Sequence, residues 1–297
     1  MEKQNKCIKE KADLSVNLDY SIPINTTLYR DYFMDKNIGQ FGEYIEPITM
    51  GDYTVRLLKN ENELKVYQDL RYKYLVLEFD PNKKGDLDTN TDFNLGYDKE
   101  TSQLCVFYDN PNTNEQELVG GYILMRFKKD QSFCKASLKY DLSKLLKNNK
   151  HKILETTRAV THPNHRNGLT INLLWKGIES YCKKYNLRYI IGTLSFSGTD
   201  PHIYSQAASY LFHNYLMPSE FMVTPLDKPK GAAFYHTVIP KDELDTVQAL
   251  KEIPPLLKGY LMIGSNVGTG FYIDKELNTA ETFTILDLEN YGKYRLK

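Results

Sequence analysis

The stretch "ILETTRAVTHPNHRNG", residues 153–168, gathers side chains that could do chemistry within sixteen positions. Glu155 and Arg158 stand three apart at the end of an apolar run. A straight strand sends such residues to opposite sides, so they act together only if the strand is bent or bulged. Their neighbours Ile153, Leu154, Ala159 and Val160 mark a central strand, where an unpaired charge costs about 3–5 kcal/mol. Either one of the two faces solvent, or the strand keeps them for a partner or a substrate.

Next comes a basic turn, His165, Arg166, Asn167 and Gly168, directly before a helical pattern. Helix N-termini present unpaired N–H groups and the positive end of the dipole, so a phosphate or phosphopantetheine arm is the natural guest there. Taken alone, a basic turn with a glycine for its backbone angle explains the same residues. His162 and His165 lack a third ligand at metal spacing, so no metal is expected. "SFSGTD" lacks a nucleophile elbow, and Ser195 is read as a strand-end residue meeting substrate. "GSNVGTG" lacks the lysine of a phosphate-binding P-loop and reads as a turn.

These residues need a scaffold. "GDYTVRLLKN" reads as a strand, and Asn60 with Glu63 as a capping box opening a helix from about Glu61 to Val76. "QLCVFYD" and "ELVGGYILMRF" flank a turn-rich connection and form a hairpin. After "ILETTRAV", the residues Leu174, Ile178, Tyr181, Cys182 and Tyr185 repeat at helical spacing. "RYIIGTLSF" is a buried strand, and Asp200-Pro201 opens the next helix. "IPPLLKGYLMIG" is a short helix and "TFTILDLE" a closing strand. The order is mixed α/β.

Three motifs in sequence carry a family resemblance: "ETTRAVTHPNHRNGLTINLLWKGIESY", "YIIGTLSFSGTDP" and "IPPLLKGYLMIGSNVGTGFYIDKELNTAETFTILDL". Together they resemble the ornithine-acyl-ACP N-acyltransferases of bacteria, often labelled hemolysin-like. These are similar to N-acyl amino acid synthases and, more widely, to GNAT-like acyltransferases including the acyl-homoserine-lactone synthases. The resemblance implies an α/β fold with a GNAT-like mixed, mostly antiparallel central sheet flanked by helices, bearing N- and C-terminal extensions. It spans roughly Leu64 to Leu288. Residues 1–50 are read as an extension and 51–297 as the acyltransferase domain, with 218–297 a family-specific part.

By the same resemblance, Arg71 in "LRYKYLVLEF" corresponds to the family's helix arginine and Arg126 in "GGYILMRF" to its strand arginine, both substrate-binding. Asp98 in "GYDKETSQL" corresponds to an acid of its acidic loop, a second catalytic candidate, and Glu155 and Arg158 match its E-x-x-R. The sequence departs in having Asn94, Leu95 and Gly96 where another aspartate is usual, and Gln103 for a histidine. Those departures leave the amine open.

The implied reaction moves a long-chain fatty acyl group from acyl carrier protein, with acyl-CoA as an alternative co-substrate, to an amino acid such as ornithine or glycine. No cofactor is implied. For such a reaction Glu155, through water, is the candidate base or ammonium orienter, with Asp98 the runner-up. Arg158 either holds the acceptor's carboxylate in a bidentate contact or pairs with the acidic loop. A backbone N–H exposed where the strand bends, near Arg158 to Val160, is the candidate oxyanion donor. An α-amine of pKa about 7.7–8.0 needs only about 1 kcal/mol to deprotonate at neutral pH, against roughly 4.6 kcal/mol for a lysine-like amine near 10.4. Competing readings are acetyl transfer from acetyl-CoA and an idle domain that binds carrier protein or lipid.

Charge fits a carrier protein better than nucleic acid. The 297 residues carry 38 basic and 38 acidic side chains, which gives no general attraction for phosphates. From Lys150 to Ile190, however, eight Lys/Arg face two Asp/Glu, a basic surface for an acidic carrier. The four cysteines form no CxxC pair, consistent with a reducing cytosol. No run reaches the roughly 18 apolar residues of a membrane span. Peripheral contact with the membrane's inner face stays open.

Overall fold

The computed structural model describes residues 41–78, 101–127, 134–149, 152–235, 237–275 and 277–289. Asp98 and the rest of the acidic loop lie outside them, as does most of the N-terminal extension.

Apolar alternation and turn residues set out one long sheet. Strands β1 (Ile48–Met50) and β2 (Tyr53–Leu57) lead into helix α1 (Glu61–Tyr72). The Asn60 side chain accepts from the Glu63 N–H at 3.0 Å, and the Glu63 carboxylate turns back to the Lys59 N–H at 2.8 Å. The cap is thus displaced by one residue from the expected box. Glu63 also clamps Arg56 through two hydrogen bonds, and α1 runs on into a π-helical turn at Lys73–Leu77. β3 (Ser102–Asn110) and β4 (Glu115–Arg126) form the expected hairpin. β6 (Ile153–Thr161), α3 (Leu169–Lys184) and β7 (Tyr189–Ser197) form a β-α-β unit, preceded by β5 (Tyr140–Asp141) and α2 (Ser143–Asn149). Asp200 caps a short 3-10 turn, and helix α4 (Ser205–Tyr215) begins only after it.

The strand order is β1-β2-β3-β4-β6-β7-β12-β11-β9, where β9 is Ala233–Phe234, β11 Phe271–Asp274 and β12 Thr279–Asp287; β10 (Asn266–Val267) also pairs with β12, and β8 (Thr224–Pro225) pairs with β5 in a separate two-stranded sheet. Along this path only β6 and β7 are parallel; every other neighbouring pair is antiparallel. The sheet is therefore mixed and mostly antiparallel, as expected, and all described residues belong to one compact unit.

Two glycines show which helix covers which face. A Cβ on Gly120 would meet Thr170 of α3, and one on Gly121 would meet Tyr67 of α1. Successive strand residues point to opposite faces, so α3 covers one side of the sheet and α1 the other. Leu104, Leu154, Leu174, Ile178 and Tyr181 share the core on the α3 side. Ile153, Ile191, Phe283, Tyr140 and Leu145 form the core of the other face. Residues 43–50, read from sequence as extension, join the domain: Ile45 is buried in the α3-side core and β1 lengthens the sheet.

Pairing between β6 and β7 runs from Ile153–Tyr189 only to Glu155–Ile191, after which the two parallel strands part while β7 stays paired with β12. Gly192 sits at the parting, where a Cβ would lie 2.8 Å from the Thr156 carbonyl oxygen. Gly192→Ala is therefore expected to cost about 1–3 kcal/mol through overpacking against rigid backbone. A lowered urea midpoint at unchanged m-value would register it.

Candidate active site

The expected bend in β6 is present. Along β4 the register advances two residues from Gly121 to Ile123, while β6 covers three from Val160 to Thr157. One extra residue is thus inserted, a β-bulge. Arg158 takes φ 56° there, a left-handed conformation uncommon for residues other than glycine, and its carbonyl accepts from the Tyr67 hydroxyl at 3.2 Å. The bulge interrupts the β4–β6 ladder beside the point where β6 parts from β7.

Glu155 lies three residues before the bulge residue and is 2 % exposed. Its Oε2 accepts from the Lys135 N–H at 2.8 Å and its Oε1 from the Ala136 N–H at 2.9 Å, in a 3-10 turn spanning Lys135–Leu138. Burial pushes this carboxyl up to about 7, against the opposing pull of the Lys135 ammonium and the two N–H groups. Burial likewise draws the Lys135 ammonium down to about 7, with repulsion from Arg158 and Lys139 adding to it. A carboxylate poised near neutrality is a competent proton acceptor.

The predicted residues within the described part fall in four places. Glu155, Arg158 and Ser195 lie along β6 and β7 where these strands part. Ser195 is exposed on β7 opposite Glu281 of β12, and strand alternation puts it on the face of Ile191 and hence of Glu155. Arg71, in the last turn of α1, is fully buried and stacked on Tyr67 with its guanidinium carbon 4.9 Å from the ring centroid.

His165, Arg166, Asn167 and Gly168 form the turn before α3. His165 is packed among Tyr53, Tyr108 and His162, its Nδ1 2.9 Å from the Tyr53 hydroxyl. Arg166 grips both oxygens of Glu78 at 2.7 and 2.6 Å and also donates to the Thr161 carbonyl at 3.1 Å. Asn167 accepts from the Leu169 N–H at 3.1 Å, and Gly168 caps α3 at φ 84°. A side chain there would be strained.

Arg126 stands apart from all of these. It pairs with Leu154, the neighbour of Glu155 on β6, so it points to the α3 side. There it donates to the Tyr181 hydroxyl at 3.0 Å, lies over the Tyr185 ring at 4.0 Å and ion-pairs with Glu43. Glu43 also accepts from Ser102 and Tyr181. This buried cluster clamps residue 43 to the sheet.

Sequence reasoning did not single out Lys135, Lys139, Asp274 or Glu281. Lys139 Nζ lies 2.7 Å from Asp274 Oδ2 and 2.8 Å from Glu281 Oε1. Glu281 alone left a signal, an acid inside the otherwise uncharged run from Thr279 to Leu286.

Two parallel strands of a mostly antiparallel sheet thus part beside the bulge of β6, with the N-terminus of α3 following the turn after β6. Residues 70–176 match the acetyltransferase (GNAT) domain family, and the protein is a GNAT acyltransferase. Over 267 residues it is 30% identical to the L-ornithine N(alpha)-acyltransferase of Agrobacterium fabrum (strain C58), covering 87% of each chain. The enzyme of the same description from Brucella abortus (strain 2308) is also 30% identical, over 81% of this chain and 86% of its own. The chain belongs to the L-ornithine Nα-acyltransferase family. Among solved structures it is similar to FeeM, an N-acyl amino acid synthase from uncultured soil microbes, at TM-score 0.47 and 8% identity, covering 84% of this chain and 96% of that one. Among the described residues no helix is long and apolar enough to cross a membrane.

Proposed function

We propose that the protein transfers a long-chain fatty acyl group from acyl carrier protein to the α-amine of ornithine, giving an N-acylornithine. The observation that carries this reading is the β6 bulge at Arg158, set at the parting of β6 and β7 and three residues from a buried carboxylate. The acceptor follows the relatives, whose names specify ornithine and its α-nitrogen.

In this reading the phosphopantetheine arm enters between β6 and β7, its phosphate at the α3 N-terminus. A bulge N–H steadies the oxyanion as the amine attacks the thioester carbonyl. The C–N bond forms, the C–S bond breaks, and Glu155 takes the ammonium proton through water and returns one to the departing thiolate. Arg158 holds the substrate carboxylate. The exposed Lys176 and Lys184 of α3 suit an acidic carrier protein.

Incubation with palmitoyl-ACP and a pool of amino acids, followed by mass spectrometry, should reveal N-acylornithine. No amide product, or equal turnover with acetyl-CoA, would sink the reading. Arg166→Ala should raise KM for acyl-ACP about fivefold, the equivalent of ~1 kcal/mol for an exposed ion pair, with kcat little changed. A fall in kcat alone would speak against a docking role.

A further inference from the structure

The reaction as described leaves a second polar cluster on this face unused. Lys139, Asp274 and Glu281 have side chains only 16%, 14% and 4% exposed. Two carboxylates face one ammonium, and Glu281 Oε2 has no hydrogen-bond partner among the described residues. A buried carboxylate oxygen without a donor is costly, so its retention calls for a visiting cation.

Register places this oxygen relative to the reaction centre. Ile191 is level with Glu155, and Ser195, four residues further along β7, opposes Glu281. The bulge at Arg158 lies three residues beyond Glu155, and at about 3.3 Å per residue Glu281 stands nearly level with it, across β7. Two strand spacings amount to about 10 Å, and the parting of β6 from β7 widens that distance, leaving a span that a short diamine bridges together with its hydrogen bond to the glutamate. The Lys135 ammonium feels both Glu155 and Glu281, so the two carboxylates border one polar space.

We propose that Glu281 is a substrate-binding residue that selects a diamino acid: with the α-amine at the bulge, the side-chain ammonium donates to Glu281 Oε2 while Oε1 keeps Lys139. The position of the α-amine rests on the acyl-transfer reading given above. A monoamino acid would leave Oε2 unpaired and bind more weakly.

The test is calorimetric binding of L-ornithine and L-norvaline, the same skeleton without the terminal ammonium, to the full-length protein without acyl donor. Wild type should bind ornithine at least about tenfold more tightly. Glu281→Gln, which leaves the Lys139–Asp274 pair in place, should bring the ratio close to one. Asp274→Asn should keep the preference, and together with the wild-type ratio decides the matter if the first variant fails to fold. Equal affinities in wild type, an unchanged ratio in E281Q, or a preference lost in D274N but kept in E281Q would overturn the proposal. Because no acyl donor is present, failure of acyl transfer in the mass-spectrometric assay would sink that reading separately and leave this result standing.

Discussion

Glu155→Gln is expected to lower kcat/KM for acyl transfer about 100- to 1000-fold, within the range contributed by a positioned general base. The amide cannot take the amine's proton, and its size leaves the cavity filled. A second signature separates chemistry from packing. Burial raises the Glu155 carboxyl to about 7, so below that pH the group already carries a proton and cannot accept another. Wild-type kcat/KM should therefore fall about tenfold per pH unit on the acid side and level off above about 7. The variant should lose that limb. Glutamine has one acceptor oxygen for the two N–H groups of Lys135 and Ala136, so stability should fall by about 1–3 kcal/mol. Urea unfolding would measure that cost independently. Turnover within threefold of wild type would remove Glu155 from the chemistry.

The centre of the fold was legible in the sequence because its signals are local. The spacing of Leu174, Ile178 and Tyr181 fixes the buried stripe of α3, and apolar runs fix β6 and β7 on either side. Glu155 and Arg158, three apart on one strand, could act together only if that strand bends, and the bulge is that bend. What escaped is non-local. Lys139 meets Asp274 and Glu281 across 135 and 142 positions, and nothing beside a lysine in "KASLKYD" announces partners that distant. The resemblance makes Arg126 substrate-binding, and only the β4–β6 register reveals that it pairs with Leu154 and faces the α3 side, opposite to Glu155. Glu43 and Ile45 sit in a polar, irregular stretch without periodicity, so their burial against Arg126 and the α3-side core left no trace in the local pattern.

The second large effect is expected on stability, at Lys139→Met. Methionine fills much of the same volume but removes the ammonium between Asp274 and Glu281. Removing one member of a buried ionic cluster strands the others, at about 3–5 kcal/mol; the slight exposure of these side chains favours the lower end. In wild type the two carboxylates raise the Lys139 pKa above its ordinary 10.5, outweighing the opposing effect of burial. A raised lysine pKa contributes stability that is complete below the unfolded value and is lost only as pH rises through the folded one. The cluster thus makes no pH slope from Lys139 near neutrality. In the variant, two carboxylates share a poorly solvated site without a cation, so one of them binds a proton more tightly when folded than when unfolded. The difference in stability between K139M and wild type should consequently narrow on acidification from pH 8 to pH 5. Adding Glu281→Gln to K139M should recover part of the loss, because one stranded charge goes with it, and the non-additivity measures their coupling. A K139M protein as stable as wild type at pH 8, or a gap that widens in acid, would show that the carboxylates do not depend on Lys139.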